Sequence, residues 1–195
     1  HYFDVFAHLK GGQHFGQHTE LSLSHDAIEA QIYDYALLQD QSMAAAFYAD
    51  KPDEYAHVPE NFVKLADMVL AHSPECKLIL EHTWGYKKED CKGFKTIEKF
   101  NDMLREGCAT IAALKNAEIS HIGDAFIAVD TKKLGNSLHA SDDHHQSYYG
   151  SYLKACVNYL MITGEPFSEN VANCGIDPQK AEILRKAAEK TVLGE

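Results

Sequence analysis

Residues 77–126 read KLILEHTWGYKKEDCKGFKTIEKFNDMLREGCATIAALKNAEISHIGDAF. The apolar run at 77–82 (KLILEH) has the length and character of a buried strand. After it, Ile97, Phe100, Leu104, Cys108, Ile111 and Leu114 recur at helical spacing, which predicts the longest helix of the chain over about 96–116. Another strand is predicted over 118–126. Strand, helix and strand in that order need a crossover, and crossovers of this kind join parallel strands with a right-handed turn. The stretch therefore predicts a mainly parallel sheet covered by helices.

The same alternation continues outward. Upstream, Phe62, Leu65, Ala66, Val69 and Leu70 repeat at helical spacing from Pro59, a good first helical residue, until Ser73 and Pro74 stop them. Before that helix, residues 33–38 (YDYALL) read as a buried strand. Ser24 is placed to N-cap a short helix through Ala27, Ile28 and Ile32. Residues 2–9 (YFDVFAHL) read as a first strand ended by Gly11 and Gly12. Downstream, Tyr149, Leu153, Cys156, Val157 and Leu160 mark a helix closed by Gly164, and Asp177 with Pro178 opens a last one through Ala181, Leu184 and Ala188. No internal repeat or low-complexity linker interrupts the series.

The chain has 195 residues and a mass of 21.8 kDa, with 45% hydrophobic residues, enough for one domain with a sizeable core. Its 29 acidic against 18 basic residues give a net charge of -11, the wrong sign for a protein that neutralises phosphates. Nucleic acid and anionic membrane are therefore excluded as expected partners. The longest apolar candidate, 156–162, is too short to cross a bilayer and is broken by Asn158. Five cysteines (Cys76, Cys91, Cys108, Cys156, Cys174) include no C-x-x-C pair, so no zinc knuckle or redox motif is written here. Cys108 and Cys156 fall in apolar stripes and read as core residues. Cys76 and Cys91 flank a strand and a loop, positions that could pair in an oxidising compartment.

Open parallel sheets bind ligands at the carboxyl ends of their strands. This directs attention to the loops at 10–18, 39–42, 82–86 and 130–147. The densest polar group is at 141–147 (SDDHHQS), where Asp142 stands three residues before His145. Across a tight turn that spacing lets the carboxylate fix the imidazole tautomer and stabilise the ring once it takes a proton. The same residues can instead cap the following helix and meet water. A metal reading also exists for Asp142, Asp143, His144 and His145, with His14 and His18 four apart upstream. It is disfavoured because neighbouring histidines are expected to diverge. His14 and His18 read as loop or first-turn residues.

Residues 10–16 (KGGQHFG) lack the G-x-x-x-x-G-K-[ST] order of a phosphate cradle. Paired glycines after a strand do allow a backbone N–H to face a cleft as an oxyanion donor, although a simple turn is an equal reading. In residues 39–42 (QDQS) a glutamine amide can donate to a developing negative charge or hold a neighbouring loop. Trp84, the single tryptophan, reads as a core residue or a wall of the cleft. There is no G-x-S-x-G elbow, and the candidate serines, Ser137 in Gly135-Asn136-Ser137 and Ser42 at a strand end, have no compelling context.

Residues 138–164 (LHASDDHHQSYYGSYLKACVNYLMITG) resemble the pattern L-x-x-D-x-x-H-P-S-x-x-G-S-Y-L-x-A-C-x-x-Y-x-x-x-T-G. That pattern belongs to a bacterial branch of the SGNH hydrolases, the GDSL-type esterase and acetylhydrolase superfamily. The resemblance implies that Asp142 and His145 are the catalytic acid and base. It extends to residues 10–12 and His18, implying that the N–H of Gly12 serves the oxyanion hole. It extends also to residues 35–42, where Gln41 stands in place of the superfamily's asparagine donor. Gln146 replaces the usual proline after the histidine, and the longer arm of Gln41 is a second departure.

The resemblance implies a three-layer α/β/α sandwich with a mainly parallel, flavodoxin-like sheet, a single domain over 1–195. It implies a serine ester hydrolase acting on acylated carbohydrate or another small ester, with no metal and no organic cofactor. An exported protein, periplasmic or extracellular, is the matching expectation. The superfamily's nucleophilic serine ends a strand upstream of the glycine block. It is therefore expected ahead of residue 1, together with roughly one strand and one helix, and the 195-residue chain alone is expected to be inactive on esters. Two competing readings are a non-catalytic carbohydrate-binding or scaffold protein that keeps the fold, and a metal-dependent hydrolase built on the Asp142 to His145 cluster.

Overall fold

A computed structural model describes residues 2–87, 93–168 and 171–194. Three parallel strands form its sheet in the order β1 (Tyr35–Leu38), β2 (Lys77–Glu81) and β3 (Glu118–Ser120). Tyr35 lies opposite Lys77 and Leu38 opposite Leu80, while Ile79 pairs with Glu118 and Glu81 with Ser120. Both connections are helical crossovers, as the alternation of short apolar runs and 3.6-period stripes requires.

Helices cover both faces. Before β1 come α1 (Phe15–His18) and α2 (Ser22–Glu29), and between β1 and β2 come α3 (Ala44–Asp50) and α4 (His57–His72). The long α5 (Ile97–Ala113) leads into β3, followed by α6 (Ile122–Ala128), α7 (Thr131–Leu134), α8 (Tyr148–Thr163) and α9 (Pro178–Val192). One core sits between the sheet and α4 and α5, where Phe62, Leu65 and Val69 meet Leu78, Leu80, Cys108 and Ile111. A second gathers Ile122, Phe126, Leu153, Val157, Leu160 and Leu184 from α6, α8 and α9, and a smaller third joins Met43, Ala46, Phe94, Phe100 and Leu104. Because side chains alternate along a strand, Leu78 and Leu80 face the first core while the buried Ile79 between them points the other way.

The caps explain where the helices begin and end. The Thr96 hydroxyl accepts from the backbone N–H of Lys99, and Ser147 does the same for Gly150. Asp177 accepts from the N–H groups of Gln179 and Lys180, with Pro178 in the first turn. Gly164 closes α8 at φ 66°, a left-handed conformation that glycine adopts without strain.

Four expectations need correction. Residues 2–9 are not a strand: among the described residues the outer edge of β1 is left unpaired, and this segment does not join it. Tyr2, Val5 and Leu9 are exposed, while Phe3, Phe6 and His8 rest on rings, those of Tyr159, Tyr33 and His18. The strand expected over 118–126 stops at Ser120. Ile122, Ala125 and Phe126 have helical rather than alternating spacing, and they bury one face of α6. Ser24 does not cap a helix but lies buried inside α2, its hydroxyl between His18 Nδ1 (3.2 Å) and His8 Nε2 (3.0 Å). The α4 helix starts two residues before Pro59. Cys108 and Cys156 are buried, and loss of solvation pushes both thiols up to about 12. Cys91, offered as a partner for Cys76, lies outside the described residues.

Candidate active site

The turn before α8 is closed by a short antiparallel bridge between His139 and Gln146. Inside it, the N–H of Ala140 donates to the carbonyl of His145 (2.8 Å), and the N–H of Asp143 to that of Ala140 (3.1 Å). Asp143 adopts φ 63°, which curls the chain so that Asp142 and His145 meet. Asp142 Oδ2 lies 2.6 Å from His145 Nδ1, while Oδ1 accepts from the backbone N–H groups of His145 (3.0 Å) and His144 (3.1 Å). The hydrogen bond from His145, then these two N–H groups, hold the Asp142 carboxyl well below the usual carboxylate range. With its proton on Nδ1 facing Asp142, the His145 ring keeps a lone pair on Nε2, and its side chain is 69% exposed.

His144 does not diverge as expected. Its ring centroid lies 4.0 Å from that of His145, and its Nδ1 donates toward the carbonyl of Asp142 at 3.0 Å. Asp142, His144 and His145 thus offer ligand-type atoms within 4.8 Å of one another, but Nδ1 of each ring is already engaged by Asp142.

The turn is anchored to the loop after β2. Trp84 donates its indole N–H to the carbonyl of His144 (2.8 Å) and stacks on Phe126 with centroids 4.7 Å apart. Trp84 is therefore a core residue with a polar handle on the turn. The N–H of Lys87 donates to the Asp143 carbonyl (2.9 Å), and His139 Nε2 donates to the carbonyl of Gly85 (2.8 Å). Gly150, in the first turn of α8, leaves room for the turn's backbone: a Cβ there would stand 2.3 Å from the Leu138 carbonyl oxygen.

The remaining loops connect to this one in series. Asp40 was not singled out from the sequence, yet its Oδ1 accepts from the N–H groups of Phe15 (3.0 Å) and Gln41 (2.7 Å), tying the glycine loop to the end of β1. His14 Nδ1 is 3.3 Å from the same oxygen, and this hydrogen bond raises its pKa. His18 turns to Ser24 instead, so the two histidines do not converge. Gln41 uses its amide oxygen to accept from the N–H of Met43 (2.9 Å), which leaves the NH2 end to donate. The Ser42 hydroxyl shares a 2.5 Å hydrogen bond with Tyr86, whose ring stands 5.4 Å from that of His144. The Thr83 hydroxyl donates to the Ser42 carbonyl (2.9 Å).

The loops at 10–18, 39–42, 82–87 and 137–147 are therefore joined in series. Of the site residues named from the sequence, Asp142 and His145 touch. Gly12, at φ 72° with open space where a Cβ would stand, lies in the 10–18 loop, and Gln41 adjoins Ser42, whose hydrogen bond to Tyr86 leads toward the turn. Ser137 is occupied structurally, its hydroxyl accepting from the N–H of His139 (3.0 Å) and from Lys87 Nζ (2.9 Å).

Two solved structures share this architecture. A DUF4886 family protein from Bacteroides uniformis superposes with a TM-score of 0.70 at 20% identity, over 87% of this chain and 66% of that one. A proposed SGNH hydrolase from Slackia heliotrinireducens superposes with a TM-score of 0.62 at 22% identity, over 78% of this chain and 80% of that one. At these identities the shared property is the fold, and the chain has the SGNH-like α/β fold. It spans just under two thirds of the Bacteroides protein's length. No protein-family model and no curated protein matches it.

Proposed function

We propose that the chain carries the base and orienting acid of an SGNH-type serine ester hydrolase acting on acyl esters of a carbohydrate or another small alcohol. The observation that carries this reading is the 2.6 Å contact between Asp142 Oδ2 and His145 Nδ1 on a ring whose Nε2 is left for proton transfer. The likeness in fold to a proposed SGNH hydrolase supports it. A serine ahead of residue 1 attacks the ester carbonyl while its hydroxyl proton passes to His145 Nε2. The Gly12 N–H and the Gln41 NH2 meet the oxyanion, each good donor contributing about 3 kcal/mol. As the C–O bond breaks, His145 returns the proton to the departing alcohol. Water then cleaves the acyl-serine by the same proton route. Asp142 keeps the ring in the productive tautomer throughout and offsets its charge when protonated.

The test is p-nitrophenyl acetate turnover by the protein carrying its upstream nucleophile segment. His145→Ala is expected to lower kcat at least about a hundredfold without changing the circular dichroism, given the usual size of base catalysis. Turnover near the wild-type value would remove His145 from the reaction. The 195-residue chain alone is expected to leave the ester intact, and steady turnover by it would refute an upstream nucleophile.

A further inference from the structure

A second group of ligand-type side chains lies where the end of β2 meets α5 and α6, away from the turn that holds His145. His82 directly follows β2 and is fully buried, and neither of its ring nitrogens has a hydrogen-bond partner among the described residues. A buried imidazole so placed loses its hydration with nothing returned, which calls for an explanation. His82 Nδ1 points toward Asp124 Oδ2 at 3.8 Å, and His121 Nδ1 stands 3.2 Å from the same oxygen. The three ligand atoms all lie within 4.8 Å of one another.

The surroundings are arranged as a support for that carboxylate. Asp124 Oδ1 accepts from Asn101 Nδ2 (2.8 Å) and Arg105 Nη1 (2.9 Å), which orients the group and leaves Oδ2 for His82 and His121. Gly123 has no side chain where a Cβ would stand 2.7 Å from His82 Nε2 and 2.2 Å from Asn101 Oδ1. The Asn101 amide oxygen is likewise buried without a partner among the described residues. With its proton on Nε2, His82 presents a lone pair at Nδ1.

We propose that His82 Nδ1, His121 Nδ1 and Asp124 Oδ2 form a binding site for a divalent transition metal ion, with Zn2+ the best match. Two imidazoles and one carboxylate are a zinc-type donor set, and bonds of about 2.0–2.2 Å in a tetrahedron put neighbouring ligand atoms about 3.3 Å apart. The 3.2 Å separation already meets that spacing, and the 3.8 Å one needs a shift of about half an ångström. Water takes the fourth position from the partly exposed side, where His121 and Asp124 reach the surface. Arg105 opposes the ion electrostatically while holding Asp124 in place, which weakens its binding. The ion would clamp β2 to α5 and α6. This site does not rest on the ester hydrolase reading.

The test is titration of chelator-treated protein with Co2+, followed by displacement with Zn2+. The expected result is a visible absorption band that saturates at one equivalent, is quenched by Zn2+, and weakens in affinity at least tenfold in His121→Gln but not in His145→Gln. No saturable band, or a band lost in His145→Gln and kept in His121→Gln, would overturn the proposal. Should His121→Gln fail to fold, imidazole nitrogen NMR of the wild-type protein decides: Zn2+ is expected to shift the His82 Nδ1 resonance. A His82 resonance that stays in place at saturating Zn2+ rejects the site.

Discussion

The indole N–H of Trp84 donates to the main-chain carbonyl of His144 across 2.8 Å and 60 positions of sequence. The same indole is stacked against Phe126, so a rigid ring from the second core reaches up and holds the turn that carries Asp142 and His145. Trp84→Phe keeps the stack and removes the donor. It is expected to cost about 1–3 kcal/mol in urea unfolding, because the His144 carbonyl loses its partner inside the structure. An unchanged midpoint would mean that this carbonyl is satisfied by water.

Lys154 and Asn158 of α8 reach the buried carboxylate of Glu81 at 2.6 and 2.8 Å, and Lys154 also donates to Gln39 (2.8 Å). Removing one partner leaves a charge in the interior. Lys154→Met is therefore expected to destabilise by about 3–5 kcal/mol, whereas Lys154→Met with Glu81→Leu recovers most of that loss. Denaturant unfolding of the three proteins measures it, and additive losses would contradict a coupled pair.

His139 is buried, and lost hydration lowers its pKa below the ordinary value of 6.5. The folded state then binds a proton there less readily than the unfolded state. The stabilisation is complete above about pH 6.5 and declines as pH falls through and below that value, levelling off under the folded pKa. Urea midpoints at pH 7.5 and 5.0 are expected to differ less in His139→Gln than in the wild type. An equal pH dependence would assign the loss to other groups.

Gly107 and Gly150 are places where backbones come together. A Cβ on Gly107 would stand 2.0 Å from the Ala45 carbonyl, and one on Gly150 2.3 Å from that of Leu138. Alanine at either position is expected to cost about 1–3 kcal/mol by thermal unfolding, while Gly11→Ala, with open space around it, stays within about 0.5 kcal/mol. Equal effects at all three would show that close approach does not set the cost.

Periodicity makes most of this architecture legible. The stripe from Ile97 through Phe100, Leu104, Cys108 and Ile111 becomes α5 because those side chains all reach the core, and Asn116 at φ 50° marks the turn beyond it. Residues 2–9 mislead because their apolar side chains stay exposed and the segment pairs with no strand, so the pattern has no buried face to match. At residues 118–126, three residues of strand run into a helix, and a short window does not separate the two periods. In the site, the Asp142–His145 spacing is readable because both ends of the contact lie in one turn. Asp40 gives no such signal, since its partners Phe15 and His14 lie some 25 positions away. His121 and Asp124 do show an H-x-x-D spacing, but His82 completes the group only through the register of β2 against β3.

A sheet made only of parallel strands contains no hairpin. Tyr35 cannot meet Lys77, nor Ile79 meet Glu118, until about forty intervening residues have formed their helices and folded back. Every rung of the ladder thus closes a large loop, whose entropy is lost before the first interstrand bond repays it. The helical crossovers α4 and α5 are expected to order ahead of the strands they connect, making the protein a slow folder whose rate-limiting step is the docking of preformed helices.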